Sequence, residues 1–356
     1  MDLNHLNMDF TIEDEYFEVK DDTSVLPDNV LAIILSKLSW KDILSAKLVS
    51  RRFYSIIHGN CQKLRRRRME SLMVEYNENH ETSPFNIKMH LESGIKTYSL
   101  FYSSYYKEIT NIQSDEELSS TLKLFDMRNL AKLHVPVADN LDIFGILNRS
   151  FQTGTKIDEL IIFKLAEKDF SSFRTFVEKL SSVRSLSIEH ICAPSTEAKD
   201  IFSLLSLSSF NTLNNFTIYE CSKSKVLSGD IVAKLIRGNP NLFILEVGPM
   251  DVKNSRSILK SFVITEQPHR MKYEYERADT LLVLYYGGDF KQLGDIFRND
   301  FNELEDIEKI NESYFSENSA DLEFNVDCRY CLNNNHKFTR RFCSLDTPMT
   351  DRNLDH

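Results

Sequence analysis

The chain has 356 residues, of which 42% are hydrophobic, and its formal net charge is −10 at pH 7. That length allows a large core, divided into two or more units, and the apolar content is ordinary for a globular protein. The acidic balance argues against a general affinity for nucleic acid. Because the chain has ten glycines and eight prolines, we expect neither a glycine-rich phosphate loop nor a long flexible linker.

Cysteine usage and the N-terminal composition bear on the compartment. The six cysteines are mostly scattered along a large chain, which is typical of a reducing environment. The first residues are acidic and polar and lack the basic and apolar regions of a secretory signal. No apolar run approaches the roughly 18 residues of a membrane span. We therefore expect a cytoplasmic or nuclear protein without a membrane association.

Residues 26–57 contain three short apolar patterns separated by two polar breaks. Leu26-Pro27 opens the first pattern, since proline is tolerated in the first turn of a helix. Ser39 and Asp42 have the spacing of a capping box and predict the start of a second helix. Gly59 is placed to end a third helix. The helical spacing rests on Val30, Ile33, Ile34 and Leu38, then on Ile43, Leu44 and Leu48, and finally on Val49-Ser50-Arg51-Arg52-Phe53.

This segment carries more large aliphatic residues than three short helices can bury in one another. About 35 residues form a marginal core on their own. Each buried leucine or isoleucine contributes roughly 1.5–3 kcal/mol, so the surplus predicts that something covers one face. Two interpretations remain open: a partner protein covers that face, or the rest of this chain does.

The same segment resembles an F-box, without a gap from the opening Leu-Pro to the Val-Ser-Arg-Arg-aromatic close. Trp40 stands where the family often has proline, and Phe53 where it often has tryptophan. The resemblance implies docking on the Skp adaptor of a cullin–RING ubiquitin ligase. The positions that match are Leu26, Pro27, Asp28, Leu31, Ile34, Leu35, Ser36, Leu38, Lys41, Asp42, Leu44, Val49, Ser50, Arg51 and Arg52. The predicted adaptor contacts are Leu26, Pro27, Val30, Ile34, Leu35, Leu38, Ile43, Leu44, Val49 and Phe53.

A phrase of the form apolar-x-x-apolar-x-apolar recurs through the middle of the chain. Copies begin at Leu130, Ile157, Val183, Leu213 and Leu242, with weaker copies near Ile95 and Met271. A near-constant period of this size favours a strand–helix solenoid, although an ordinary α/β domain would share the alternation. Helical spacing between copies is carried by Phe170, Phe173, Phe176, Val177 and Leu180, by Ile201, Leu204 and Leu205, and by Ile231, Leu235 and Ile236.

These copies resemble degenerate leucine-rich repeats. An F-box followed by such repeats also resembles the nematode-type F-box families, whose C-terminal FTH domain would lie at about residues 115–285 here, with phrases such as Leu133-His-Val135-Pro136. In a solenoid the positions between the apolar ones face outward on the strand. We predict that a target protein binds there, although loops or a terminal segment could cover some positions. The predicted target-binding residues are Lys132, His134, Glu159, Ile161, Phe163, Glu189, Tyr219, Ile244 and Glu246.

Two charged stretches allow several interpretations. Residues 47–68 hold eight lysines and arginines and no acidic residue. They could serve in nuclear targeting, contact nucleic acid, or attract an acidic patch on the adaptor or the ligase scaffold. They could also form a solvated helix face above an apolar stripe of Leu64, Met69, Leu72 and Met73. Residues 300–327 hold ten acidic residues beside Lys309, and Phe301, Leu304, Ile307, Ile310 and Tyr314 predict an acidic amphipathic helix.

The C-terminal cysteines could belong to a zinc site or to a hairpin. Cys328 and Cys331, with His336 and Cys343, include a Cys-x-x-Cys turn. However, residues 322–330 and 337–345 alternate as two strands around an asparagine turn, and a terminal hairpin explains them without metal. We predict no bound metal and no cofactor.

The sequence shows no catalytic motif: it has neither a Gly-x-Ser-x-Gly elbow nor a His-Glu-x-x-His motif. Nothing beside Cys192 or Cys221 in sequence recommends either as a nucleophile, and His190 is expected to be structural. We predict an α/β protein that recruits substrates to a ligase, with a non-degradative scaffold and a nucleic-acid-associated protein as alternatives. The predicted divisions are an acidic segment (1–22), an F-box (23–60), a basic helical linker (61–94), a leucine-rich-repeat-like domain (95–280) and a C-terminal cap (281–356).

Overall fold

The structure is a computed structural model. It divides into two compact units, Met1–Arg66 and Arg67–His356. We describe each unit by itself. The described residues are 26–60, 63–80, 82–92, 104–193, 210–221, 227–250, 252–265, 280–286, 307–309, 314–315, 319–327 and 337–346.

Three short helices form the described part of the first unit. They are α1 (Asp28–Leu35), α2 (Trp40–Lys47) and α3 (Arg51–Gly59). The predicted capping box at the start of α2 is confirmed: Ser39 Oγ accepts from the Asp42 N–H at 3.3 Å, and the Ser39 N–H donates to Asp42 Oδ2 at 3.3 Å. At the start of α3, Ser50 Oγ accepts from the Phe53 N–H at 3.2 Å. Polar breaks therefore end one helix and begin the next, as the spacing predicts.

The second unit is a mixed α/β structure built on one large, mostly parallel sheet. The strands are β1 (Arg67–Tyr76), β2 (Phe85–Glu92), β3 (Ser104–Ile112), β4 (Phe125–Asp126), β5 (Asn129–Val135), β6 (Thr155–Ile162), β7 (Leu165–Ala166), β8 (Leu180–Cys192), β9 (Asn215–Glu220), β10 (Ile244–Met250), β11 (Thr280–Tyr286), β12 (Ile307–Lys309), β13 (Tyr314–Phe315), β14 (Ser319–Asp327) and β15 (Lys337–Asp346). The helices of its described residues are α4 (Asp115–Leu122), α5 (Ile143–Ser150), α6 (Phe170–Glu178), which follows a 3-10 turn, α7 (Gly229–Gly238) and α8 (Val252–Ile264).

The strands of the main path follow the order β12-β14-β15-β11-β10-β9-β8-β6-β5-β1-β2-β3. Neighbouring strands are parallel along the central path β1-β5-β6-β8-β9-β10-β11-β15. The pairs at the two ends of the sheet are antiparallel: β1 with β2 and β2 with β3 at one end, and β15 with β14 and β14 with β12 at the other. The five predicted strand phrases coincide with β5, β6, β8, β9 and β10, so these predictions are confirmed. The helices predicted around Phe170 and Ile231 are confirmed as α6 and α7.

The core lies between one face of this sheet and the helices. Leu133, Leu160 and Leu245 project from three strands and are fully buried. From the helices, Phe144 packs edge-on against Phe173, with ring centroids 5.1 Å apart. From β5 to β11, successive parallel strands lie next to one another in the same direction across the sheet. Because the connections between parallel strands are right-handed, the helices that connect these strands all lie on one side of the sheet. The alternate residues of each strand are left on the opposite face, which we call the open face.

Two predictions about local structure are wrong. The predicted helical linker at residues 61–94 contains β1 and β2, and Met69 and Leu72 are buried in the core of the sheet instead of forming a helix stripe. The predicted acidic helix after residue 300 contains β12, β13 and β14. Both segments pair with neighbouring strands, and this pairing satisfies their backbone groups without a helix.

The remaining predictions have mixed outcomes. The terminal hairpin is confirmed by the antiparallel pairing of β14 with β15. The weak repeat copies near Ile95 and Met271 and the helix around Ile201 lie outside the described residues, as do Cys328, Cys331 and His336. Among the residues that the structure describes, no helix has both the length and the apolar character that crossing a bilayer demands.

Candidate partner-binding surfaces

The three-helix unit has a small core of its own. Leu31 and Leu35 of α1 are 3% and 2% exposed, and Ile43 of α2 is 5% exposed. They pack with Ile56 and Ile57 of α3. The sequence predicts Leu35 and Ile43 as adaptor contacts, but both are buried in this core. Their side chains stabilise the helices and offer almost no surface to a partner.

Six large apolar side chains of this unit remain exposed, and we call them the exposed apolar set. The described part of the chain exposes ten large apolar side chains, and six of them lie between residues 26 and 54. Leu48 is 83% exposed and Val49 69% exposed, so both protrude where α2 gives way to α3. Such a concentration is typical of a surface that binds another molecule. The exposed apolar set is Leu26, Ile33, Ile34, Leu48, Val49 and Tyr54.

The predicted adaptor contacts fall into several groups. Leu26, Pro27, Ile34 and Val49 are exposed. Val30, Leu38 and Phe53 are partly exposed, and the side chain of Leu44 lies outside the described residues.

The prediction omitted Ile33, Leu48 and Tyr54 from the contacts. The sequence predicts Ile33 and Leu48 as apolar positions of the helices, but it does not show which side of a helix faces its neighbours.

Hydrogen bonds and a salt bridge hold the first described residues of this unit in place. The carbonyl of Pro27 accepts from the N–H groups of Val30 and Leu31 at 3.0 and 3.1 Å and so begins α1. Arg52 of α3 donates to Asp28 Oδ1 from Nη2 at 2.7 Å and also to the carbonyl of Leu26. The opening residues, which include exposed Leu26, are therefore held against α3.

The open face of the sheet is the second candidate surface, and it contains the predicted target-binding residues. The parallel registers align Lys132 with Glu159 and His134 with Ile161 across β5 and β6. They align Tyr219 with Gly248 across β9 and β10. Alternation along each strand turns these side chains away from the core. Of the predicted residues, Lys132, His134, Glu159, Phe163, Glu189, Tyr219, Ile244 and Glu246 are partly exposed.

Ile161 does not fit the prediction of an exposed apolar position, because it is 9% exposed. Next to it, the His134 ring lies 6.0 Å from the Phe163 ring, and His134 Nδ1 is buried without a hydrogen-bond partner among the described residues. Burial, and then the nearby charge of Lys132, lower the pKa of His134, although Glu159 acts in the opposite direction. This part of the open face is therefore a partly enclosed mixture of apolar and charged groups.

A salt bridge and a tyrosine pair order other parts of the open face. Lys132 Nζ lies 3.0 Å from Glu159 Oε2 across neighbouring strands. Tyr219 donates to Glu246 Oε2 at 3.3 Å, and its ring meets that of Tyr285 edge-on at 5.1 Å. Burial raises the pKa of Tyr219, so this phenol stays protonated and remains a donor. Fixed aromatic and charged groups of this kind are common in protein interfaces.

Two further charges have distinct surroundings. Burial raises the pKa of the Glu189 carboxyl on β8. In the basic stretch, Arg67 and Arg68 belong to β1, and Arg67 donates to the carbonyl of Glu92 at 3.4 Å. The four consecutive arginines therefore do not share one helix face.

The structure also brings together three residues that the sequence analysis treated separately. His190, Cys192 and Cys221 place their potential ligand atoms within 4.8 Å of one another. The signal lay in the repeat: His190 and Cys192 follow the phrase that begins at Val183, and Cys221 follows the next phrase, which begins at Leu213. Adjacent phrases form adjacent strands, so residues just beyond the two phrases become neighbours.

The chain thus combines a helical module that exposes apolar side chains with a large, mostly parallel sheet. Residues 23–68 match the sequence model of the F-box-like family. The chain therefore carries an F-box-like domain, which supports its assignment as an F-box protein. F-box domains bind the Skp adaptor of Skp–cullin–F-box ligases, and F-box proteins are generally non-catalytic substrate adaptors. No curated protein matches the chain.

Proposed function

We propose that this chain is a substrate-recruiting subunit of a Skp–cullin–F-box ubiquitin ligase. The observation that carries the proposal is the exposed apolar set, which lies within the F-box-like match at residues 23–68. The unit has its own core and still leaves six large apolar side chains in water. Full burial of an exposed leucine, isoleucine or valine contributes roughly 1.5–3 kcal/mol before the cost of association, and the partly exposed members of the set contribute less.

We propose that the target protein binds the open face of the sheet. This face carries the partly exposed Phe163, Tyr219 and Ile244 among charged groups, a composition suited to a protein partner. We further propose that the parallel strands β5, β6, β8, β9 and β10 belong to a degenerate leucine-rich-repeat solenoid of the FTH type, within residues 95–280. The strand phrases and their spacing support this proposal.

The proposed mechanism is proximity. The F-box-like domain holds the chain on the adaptor while the open face holds the target, so target lysines stay at a high effective concentration near the charged transfer enzyme. The chain itself makes and breaks no bond in this scheme. We expect it to act in the cytoplasm, the nucleus or both.

The first test is co-purification of the full-length chain with a Skp adaptor. We expect wild-type protein to form the complex and the double variant Ile33→Asp/Leu48→Asp to lose at least about tenfold in affinity, since about 1.4 kcal/mol changes an equilibrium tenfold. Both side chains are exposed, at 62% and 83%, so their replacement leaves the small core intact. A double variant that binds as tightly as wild type would contradict the proposal.

The matched control places the same substitutions outside the F-box-like match. Leu124 and Phe243 are 45% and 52% exposed and lie in the second unit. The variant Leu124→Asp/Phe243→Asp should retain wild-type adaptor binding. Proximity labelling with wild type and with the Ile33→Asp/Leu48→Asp variant then separates two roles. A ligase subunit loses ubiquitinated targets in the variant, whereas a non-degradative scaffold shows partners that never become ubiquitinated.

A further inference from the structure

We propose that His190, Cys192 and Cys221 form a zinc-binding site at the ends of two neighbouring strands. Their candidate ligand atoms, one imidazole nitrogen and two sulfurs, lie within 4.8 Å of one another. His190 is 8% exposed and Cys221 5% exposed, and Cys192 is partly exposed. The sequence predicts no bound metal, and this inference departs from that prediction. It does not depend on the proposed ligase function.

A β-bulge places two of the three ligands. Ile188 pairs with Ile218 and Ile191 with Glu220, so β8 has one more residue than β9 between these pairs. Ile188 and Ile191 are both fully buried in the core, three residues apart instead of the two or four that an even strand would give. An inserted residue of this kind re-aims the side chains that follow it. His190 and Cys192, which flank Ile191, are thereby directed away from the core.

A backbone hydrogen bond places Cys221, the third ligand, next to the other two. The Cys221 N–H donates to the carbonyl of Ile191 at 3.0 Å, which fixes Cys221 beside the residue that separates His190 from Cys192. On the other side, β7 pairs Ala166 with Cys192. The cluster is therefore anchored by strands on both sides: His190 and Cys192 belong to β8, and Cys221 directly follows β9.

The donor set is one that zinc commonly takes in proteins. Thiolate and imidazole ligands favour zinc over magnesium or calcium, which prefer oxygen. Tetrahedral bonds of ordinary length would place these donors about 3.5–3.8 Å apart, so side-chain shifts of about 1 Å would complete the site. Two thiolates, one neutral imidazole and Zn²⁺ have no net charge, which suits a mostly buried position. Among the described residues the cluster offers three ligands, and water would take the fourth position.

The two cysteines could instead form a disulfide, which needs sulfurs about 2.05 Å apart. Such a bond would use the two sulfurs alone, whereas a zinc ion would use all three side chains. A reducing compartment, expected from the scattered cysteines, also favours thiols. The two interpretations differ in wild-type protein that has not been reduced: disulfide-bonded cysteines become open to alkylation only after a reductant is added, whereas zinc-bound cysteines become open to alkylation after a chelator alone.

The test is Co²⁺ and Zn²⁺ titration of the full-length chain after reduction and removal of metal. We expect Co²⁺ to produce thiolate charge-transfer bands and the visible bands of tetrahedral cobalt, with one equivalent of Zn²⁺ abolishing both. Cys192→Ser, Cys221→Ser and His190→Gln should each weaken zinc affinity at least about tenfold, since second-shell changes alone already cost 10–100-fold. The control is Cys331→Ser, which alters the Cys-x-x-Cys motif and should leave the spectrum unchanged.

A second measurement needs no variant and so is unaffected by any loss of folding. Zn²⁺ should slow the alkylation of Cys192 and Cys221 in wild-type protein, as read by peptide mass spectrometry, relative to chelator-treated protein. Three results would overturn the proposal: absence of thiolate bands with Co²⁺, loss of the bands in Cys331→Ser but not in Cys192→Ser, or alkylation of both cysteines at a rate that Zn²⁺ does not change.

Discussion

Arg52 and Asp28 join the two ends of the F-box motif across 24 residues. The Arg52 guanidinium donates to Asp28 Oδ1 from Nε at 2.9 Å and from Nη2 at 2.7 Å. Arg52 also donates to the carbonyl of Leu26, the first residue of the exposed apolar set. One side chain of α3 therefore sets the position of the residues that open α1.

We expect Arg52→Ala to have a small effect on stability and a larger effect on adaptor binding. The paired side chains are 31% and 67% exposed, and exposed ion pairs contribute about 0.2–1 kcal/mol. Loss of the contact should release Leu26 and increase amide hydrogen exchange at the start of α1. Arg51→Ala, at the exposed neighbouring arginine, is the matched control and should change neither quantity. Equal exchange in the two variants would contradict this role for Arg52.

The core and the surface of the three-helix unit should respond in opposite ways to truncation. Leu35 is 2% exposed, so Leu35→Ala should cost roughly 2–5 kcal/mol and unprotect all three helices in hydrogen exchange. Ile33, two residues away and 62% exposed, should tolerate Ile33→Ala with little loss of protection but should bind the adaptor more weakly. The assignment of the two residues is incorrect if Ile33→Ala unfolds the helices or Leu35→Ala leaves them protected.

A close approach between β10 and β11 predicts the response of Gly248. A Cβ added there would lie 2.6 Å from Cβ of Tyr285, an atom that cannot move without its backbone. We expect Gly248→Ala to lower the free energy of unfolding by about 1–3 kcal/mol, the usual cost of overpacking. Gly238→Ala is the control, because no atom lies within 4 Å of its added Cβ, at the end of α7. Denaturant unfolding that gives the same midpoint for both variants would exclude the close contact.

The pH dependence of stability should carry opposite contributions from His134 and Asp169. Burial lowers the pKa of His134 below its ordinary 6.5, so the unfolded chain binds this proton more readily, and stability is lost as the pH falls below 6.5. Burial raises the pKa of Asp169 above 3.8, so its contribution is present below that value and is lost as the pH rises through its folded pKa. Melting temperatures across pH should show less acid destabilisation in His134→Gln and more in Asp169→Asn than in wild type. Parallel profiles for the three proteins would contradict these shifts.

Much of the first unit and of the parallel sheet follows from local sequence. The capping box at Ser39 and Asp42 is a short-range signal, and the structure contains it. The strand phrases from Leu130 to Val247 are predictable because the alternation of apolar residues along each strand matches burial on one face. The outward positions of the open face follow from the same period.

Bulged strands show where the local signal misleads. In β1 the pairing shifts between Met69 and Ser71, and the buried residues Met69, Leu72 and Val74 are spaced by three and then two. A spacing of three imitates a helix, so the periodicity predicts the wrong element. In the acidic segment, Ile307 and Tyr314 have helical spacing, yet both belong to strands that pair with β14.

The sequence by itself determined the three helices of the F-box-like domain, the strands of the repeat and the surplus of apolar side chains, because each depends on residues a few positions apart. Tertiary structure decided which of those side chains are buried: Leu35 and Ile33 are both apolar residues of α1, yet only Leu35 faces the other helices and is buried. It also decided that His190, Cys192 and Cys221 meet, because a bulge in β8 and a register with β9 set that distance. Contacts between distant residues depend on pairing and packing, which no local period encodes.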